Sequence, residues 1–72
     1  MISFEPLWQT MKDKGFTTYK LIKEYGINPN TITILKHNRN ISTYTLERLC
    51  IILDCTPNDI VMIVKEEEVK EE

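Results

Sequence analysis

The residues able to do chemistry are few. The chain has one histidine, His37, and two cysteines, Cys50 and Cys55. The cysteine spacing matches neither a redox CxxC pair nor a zinc-ligand set, and His37 stands at no ligand spacing from either thiol. Free cysteines usually pack as small hydrophobes, so Cys50 and Cys55 are expected in the core of a protein held in a reducing compartment. There is no Gly-rich loop, no elbow serine and no nucleophile paired with a base. No catalytic site, no bound metal, no cofactor and no small-molecule ligand is expected, and the chain is not read as an enzyme.

Charge is more informative than nucleophiles. The net charge is −2, but it is unevenly spread. Residues 12–48 carry Lys12, Lys14, Lys20, Lys23, Lys36, Arg39 and Arg48 against Asp13, Glu24 and Glu47, a net +4. Residues 49–72 carry seven acidic and two basic residues, a net −5. A basic middle with an acidic end leaves one part of the molecule suited to an anionic partner.

Seventy-two residues suffice for one small domain. Such a chain buries only roughly 60 % of its unfolded surface, so its core is marginal. With 42 % hydrophobic and 28 % charged residues it is expected to fold rather than stay disordered. No apolar run reaches the ~18 residues of a membrane span. No basic stretch followed by an apolar one opens the chain, so no signal peptide is read and a cytoplasmic location is expected.

Apolar residues recur at spacings of three and four between turn residues, the period of helices. A first helix is expected over about 5–14, with Pro6 in its first turn, Leu7, Trp8 and Met11 inward, and Gly15 as its stop. A second spans about 18–25, capped by Thr17, with Leu21, Ile22 and Tyr25 inward and Gly26 as a left-handed stop. A third runs from Pro29 to about His37 behind the cap Asn28, with Ile32 and Leu35 inward. A fourth covers about 43–53 behind Ser42, and Leu46, Leu49, Cys50 and Leu53 form its i, i+3, i+4, i+7 stripe. Thr56-Pro57-Asn58-Asp59 reads as the start of a fifth, followed by Ile60, Val61 and Ile63. Strands find only weak support, near the end. Helices this short are unstable alone, so the expected fold is all-α, five helices around one core over residues 1–64. An acidic, disordered tail is expected over 65–72.

The second and third helices are joined by Gly26-Ile27-Asn28, a short Gly-containing turn of the helix-turn-helix kind. Residues 18–37, TYKLIKEYGINPNTITILKH, resemble the helix-turn-helix of the Cro/cI-type phage repressors, the XRE family, at Leu21, Gly26, Ile27, Ile32 and Leu35. Residues 45–61, TLERLCIILDCTPNDIV, resemble the segment that follows in that family. The likeness spans about 7–63 and implies a lambda-repressor-like DNA-binding domain. Ile22 departs from the pattern, which usually has alanine there, so either the two helices stand further apart or a smaller neighbour compensates.

The resemblance implies that the third helix reads bases through Pro29, Asn30, Thr31, Thr33 and Ile34. Asn30 suits adenine, whose N6 and N7 match an amide. Ile34 stands where the family often has a polar reader; it either meets a thymine methyl or is partly buried. Phosphate contacts are implied for Thr18, Tyr19 and Lys20, for Lys36, His37, Asn38, Arg39 and Asn40, and for Thr43 and Tyr44, which open a helix whose N-terminal amides favour anions. Family members usually bind as homodimers on two half-sites of double-stranded DNA. Ile51, Val61, Met62, Ile63 and Val64 are the candidate dimer surface, or else they close the monomer's own core. The reading is a transcriptional regulator, expected to be a repressor of bacterial or phage type. The competing reading is a protein-binding module, such as an antitoxin or adaptor, that uses the same scaffold.

The acidic end should repel DNA. Removing residues 65–72 is expected to raise affinity for random duplex at low salt in a fluorescence-anisotropy titration, and unchanged affinity would retire that role for the tail.

Overall fold

The computed structural model describes residues 1–65. The acidic segment 66–72, and with it nearly all of the expected tail, lies outside the described residues. The elements in chain order are β1 (Ile2–Ser3), α1 (Glu5–Lys14), α2 (Thr18–Tyr25), α3 (Pro29–Lys36), α4 (Thr43–Leu53), a 3-10 turn (Pro57–Asp59) and β2 (Met62–Ile63).

The four helices start and stop where local chemistry dictates. Thr17 and Ser42 accept hydrogen bonds from the backbone N–H of Lys20 and Thr45, and Asn28 accepts from Asn30, so orphan amides at three helix starts gain partners. Pro6 sits in the first turn of α1 and Pro29 in that of α3. Three helices end in one motif. Phe16 N–H donates to the Met11 carbonyl at 2.8 Å, Arg39 to Ile34 at 3.0 Å and Cys55 to Cys50 at 3.0 Å. Each bond spans a residue at positive φ: Gly15 at 76°, Asn38 at 56° and Asp54 at 54°. This is the Schellman arrangement, in which a left-handed residue lets the next N–H reach back over the last turn.

The fifth helix does not form, a correction to the expected five-helix fold. Thr56 and Asp59 pair as expected, the Thr56 N–H donating to Asp59 Oδ2 at 3.3 Å, but only one 3-10 turn follows. The chain then extends as β2, which pairs antiparallel with β1, Ile2 opposite Ile63 and Ser3 opposite Met62. Val61, Ile63 and Val64 are β-branched and favour the extended form, and β1 offers a ladder that an isolated terminal helix would lack. The N-terminal strand has no periodicity long enough to be visible in sequence. His37 caps α3 instead of extending it.

The four helices, with Phe4, Ile27 and Ile60 from the segments between elements, build one core: Phe4, Leu7, Met11, Leu21, Ile27, Ile32, Leu35, Leu49, Leu53 and Ile60. No charged or polar residue is buried in it among the described residues. Trp8, Ile22, Leu46 and Cys50 are half-buried against the cluster, and Ile22 takes its place at the rim. Tyr25, expected inside, is exposed, with its ring centroid 5.9 Å from that of Phe16. Ile63 is exposed as well. Phe4 and Ile27 are core residues that helical periodicity could not find, because one precedes α1 and the other lies in a turn. Cys50 and Cys55 are free and half-buried at the two ends of the α4 cap, where this motif commonly places an apolar contact. Desolvation pushes both thiols above their ordinary range, as expected of packing rather than reactive cysteines.

Leu49 is fully buried in the middle of α4. Leu49→Ala should cost about 2–5 kcal/mol in a urea unfolding titration, a large share of the stability of so small a domain. A loss below ~1 kcal/mol would mean that the core does not converge on α4.

Candidate nucleic-acid interface

The candidate interface centres on α3, whose two ends are anchored by different means. At its start, Gly26 adopts φ 72°, and its N–H and that of Ile27 both return to the Leu21 carbonyl. That closes α2 and turns the chain. Ile27 is 3 % exposed, so the turn is anchored in the core. Asn28 then accepts the Asn30 N–H at 2.7 Å, and Pro29 begins the helix. From outside the motif, Arg48 of α4 donates to the Tyr25 carbonyl at 2.8 Å. A cation there complements the negative end of α2 as well as filling an orphan acceptor.

At the other end, Asn38 takes the left-handed conformation, and its side-chain Oδ1 accepts the Phe4 N–H at 2.8 Å. The bond joins the exit of α3 to the junction of β1 and α1. Asn38, expected to face phosphate, therefore spends its acceptor oxygen inside the protein, and the side-chain NH2 group is what it has left to offer an anion. Neither Arg48 nor this second role of Asn38 was accessible to sequence reasoning. Each is a contact between residues far apart in the chain, and only the Asn-for-Gly substitution at a helix stop hints at one of them.

The other expected contact residues fall on α3 and its flanks. Pro29, Asn30 and Thr33 are exposed, and Thr31 and Ile34 are half-buried. Thr33 Oγ1 lies 3.4 Å from the Pro29 carbonyl, a weak back-bond that leaves the hydroxyl accessible. Ile34 takes the intermediate course: with Asn38, Arg39 and Asn40 it lines an open concavity of about 550 Å³ beside the end of α3. Lys36, His37, Arg39 and Asn40 are exposed there. At the start of α2, Thr18 is half-buried and Tyr19 exposed, while the Lys20 ammonium lies 4.7 Å from the Phe16 ring centroid. Lys20 is thus partly engaged within the chain. Thr43 and Tyr44 are exposed at the N-terminus of α4. Helix α3 presents an amide and hydroxyls and ends among exposed basic residues, and such side chains can read base edges and grip a phosphate backbone.

The comparisons with known proteins agree with this geometry. The family model described as the Cro/C1-type HTH DNA-binding domain matches residues 6–66. The chain belongs to that family. Its fold is also similar to a solved structure described as the crystal structure of transcriptional regulator VanUg, Form II, with a TM-score of 0.81 and 28 % identity over 90 % of this chain and 87 % of that one. No curated protein sequence matches the chain. Among the described residues, no helix is long and apolar enough to cross a membrane.

Asn38 permits a direct test of how the end of α3 is held. Asn38→Asp keeps an acceptor for the Phe4 N–H and should leave stability nearly unchanged. Asn38→Ala removes the acceptor and forces alanine into the left-handed region, and it should cost about 1–3 kcal/mol in thermal or urea unfolding. Equal stability of the two variants would mean that the bond holds nothing.

Proposed function

We propose that the protein is a sequence-specific double-stranded DNA-binding transcriptional regulator, acting as a repressor, with α3 as its recognition helix. The observation that carries this reading is the rigid presentation of α3. A cap and a buried turn residue fix its start, a left-handed asparagine bonded to the Phe4 amide fixes its end, and its polar face is left to solvent.

In this reading Asn30 pairs with an adenine edge, and Thr31 and Thr33 meet bases or phosphates close by. Pro29 and Ile34 supply apolar contacts, with Ile34 beside a thymine methyl. Thr18, Tyr19, Thr43 and Tyr44 hold phosphates at two helix N-termini, where amide dipoles favour an anion. Lys36, His37, Arg39 and Asn40 hold the backbone beyond α3, with Lys20 and the Asn38 side-chain NH2 group in lesser parts. One domain covers a single half-site, so two copies would read an inverted repeat with centres roughly 34–36 Å apart.

Repeated selection from a random duplex pool at moderate salt tests the proposal, with sequencing of the retained DNA. An enriched motif is the expected result. No enrichment, with binding that vanishes as salt rises, would mean backbone attraction only, and would turn the reading toward a protein partner. On the enriched duplex, Asn30→Ala should relax the preference at its base position by about 1–3 kcal/mol. Arg39→Ala should weaken all sequences alike and lower the salt slope by about one. Variants that change neither preference nor slope would contradict the assignment of α3.

A further inference from the structure

The C-terminal cap of α4 brings the two cysteines of the chain together. The Cys55 N–H donates to the Cys50 carbonyl at 3.0 Å, with Asp54 between them at φ 54°. That bond limits how far apart the two residues can stand. Adding the N–Cα and Cα–C–O spans at its two ends gives a Cα separation of no more than about 7 Å, the upper limit for a disulfide. The cap also decides where the side chains meet. In this motif the residue that accepts the long bond and the residue that donates it pack against each other. Here those residues are Cys50 and Cys55, and a side-chain hydrogen bond from Cys55 bears on Cys50. Both are half-buried. Cys50 also lines an open concavity of about 370 Å³ with Leu46, Glu47, Ile51 and Pro57, which gives a small solute a way in to it.

We propose that Cys50 and Cys55 are a reversible dithiol–disulfide pair, oxidised by a small peroxide, that staples the end of α4. The thiolate is the reacting form of a cysteine. Cys50 reacts first, because it opens to the concavity and because the hydrogen bond from Cys55 favours its thiolate and disfavours that of its neighbour. The Cys50 thiolate attacks one peroxide oxygen, the O–O bond breaks, and the departing oxygen leaves as water after taking a proton. Cys50 is then a sulfenic acid. The Cys55 thiolate attacks that sulfur, the S–O bond breaks, and a second water leaves. In all, the two thiols give up two electrons and two protons, and the peroxide is reduced to two waters. Burial sets the rate of this reaction and not its product. It holds both thiols above their ordinary range; Asp59 adds to the rise at each, and Lys14 opposes it at Cys55. Glu47 is the charged group that lines the approach. The pair is therefore slow at neutral pH and faster as pH rises. A disulfide here would restrain the unfolded chain and lock the cap around a non-glycine residue in the left-handed region. Intracellular disulfides of this transient kind are redox-responsive rather than structural. The chemistry is independent of the proposed function and of the α3 face.

Peptide mass spectrometry of the full chain after hydrogen peroxide tests the pair. The peroxide is quenched with catalase, remaining thiols are alkylated, and the tryptic peptide 49–65, which carries both cysteines and Met62, is weighed and fragmented. In the wild type this peptide should carry no alkyl group and should be about 2 Da lighter than the dithiol form, with any added oxygen located on Met62. Dithiothreitol should restore both thiols. Over one pH unit above neutrality the rate should rise about tenfold. Cys55→Ser should stop at the Cys50 sulfenic acid, trapped with dimedone, whereas Cys50→Ser should form that adduct at least tenfold more slowly at Cys55. The oxidised wild type should unfold at a higher urea concentration than the reduced one. Exposed Met62 reports that the oxidant has acted. Both cysteines alkylated after Met62 has been oxidised overturns the proposal. So does a sulfinic or sulfonic acid at either cysteine, or a disulfide between two chains, in place of the internal bond. The wild-type result decides the matter even if a serine variant does not fold.

Discussion

The constraint on which the structure depends is the fixing of an eight-residue helix at both ends. Helix α3 is too short to persist alone in water, since nucleation costs more than a few turns return. Apolar side chains hold its inner face, with Ile32 and Leu35 buried beside Leu49 and Leu53 of α4 in one cluster. Packing alone leaves the ends free to fray. The turn Gly26-Ile27-Asn28 fixes the first end by combining a left-handed residue, a buried side chain and a cap within three positions. Asn38 fixes the second by left-handed backbone and by the bond to Phe4. The result is a polar helix face whose position is set before any ligand arrives, which limits the ordering cost of binding.

This also explains the distribution of polar groups. The core contains no buried polar or charged side chain among the described residues, so little of the fold is held by ionic contacts. Arg48 is spent on the end of α2 and Lys20 in part on Phe16, while Lys36 and Arg39 remain at the surface near the exit of α3. The net −2 of the whole chain hides this arrangement because the acidic residues lie mostly after position 53. Affinity for an anionic backbone depends on local charge within about a Debye length, not on the total.

Much of the fold was legible in the residues. Thr17, Asn28 and Ser42 before apolar-periodic segments, with Pro6, Pro29, Gly15 and Gly26, marked the limits of α1 and α2, the starts of α3 and α4, and the end of α4 followed from its apolar stripe. Local chemistry governs those boundaries, so sequence can carry them. The failures were non-local. Whether residues 60–64 form a helix or a strand was decided by the presence of β1 sixty residues earlier, which no window can register. Asn38 read as one more surface amide because its partner, the Phe4 amide, lies 34 residues away. The candidate contact face was nominated from residue types on α3, but the division between free and internally engaged side chains, Lys20 and Asn38 above all, required the packed structure.

The most direct test of the account is an amide-resolved NMR titration of the full chain with a duplex recovered by selection. The account predicts the largest shifts and slowest exchange at residues 28–34, with further shifts at 17–20, 38–40 and 43–45. Shifts confined to 51 and 61–65, with the α3 amides unmoved, would contradict it and would assign binding to a surface other than the helix-turn-helix.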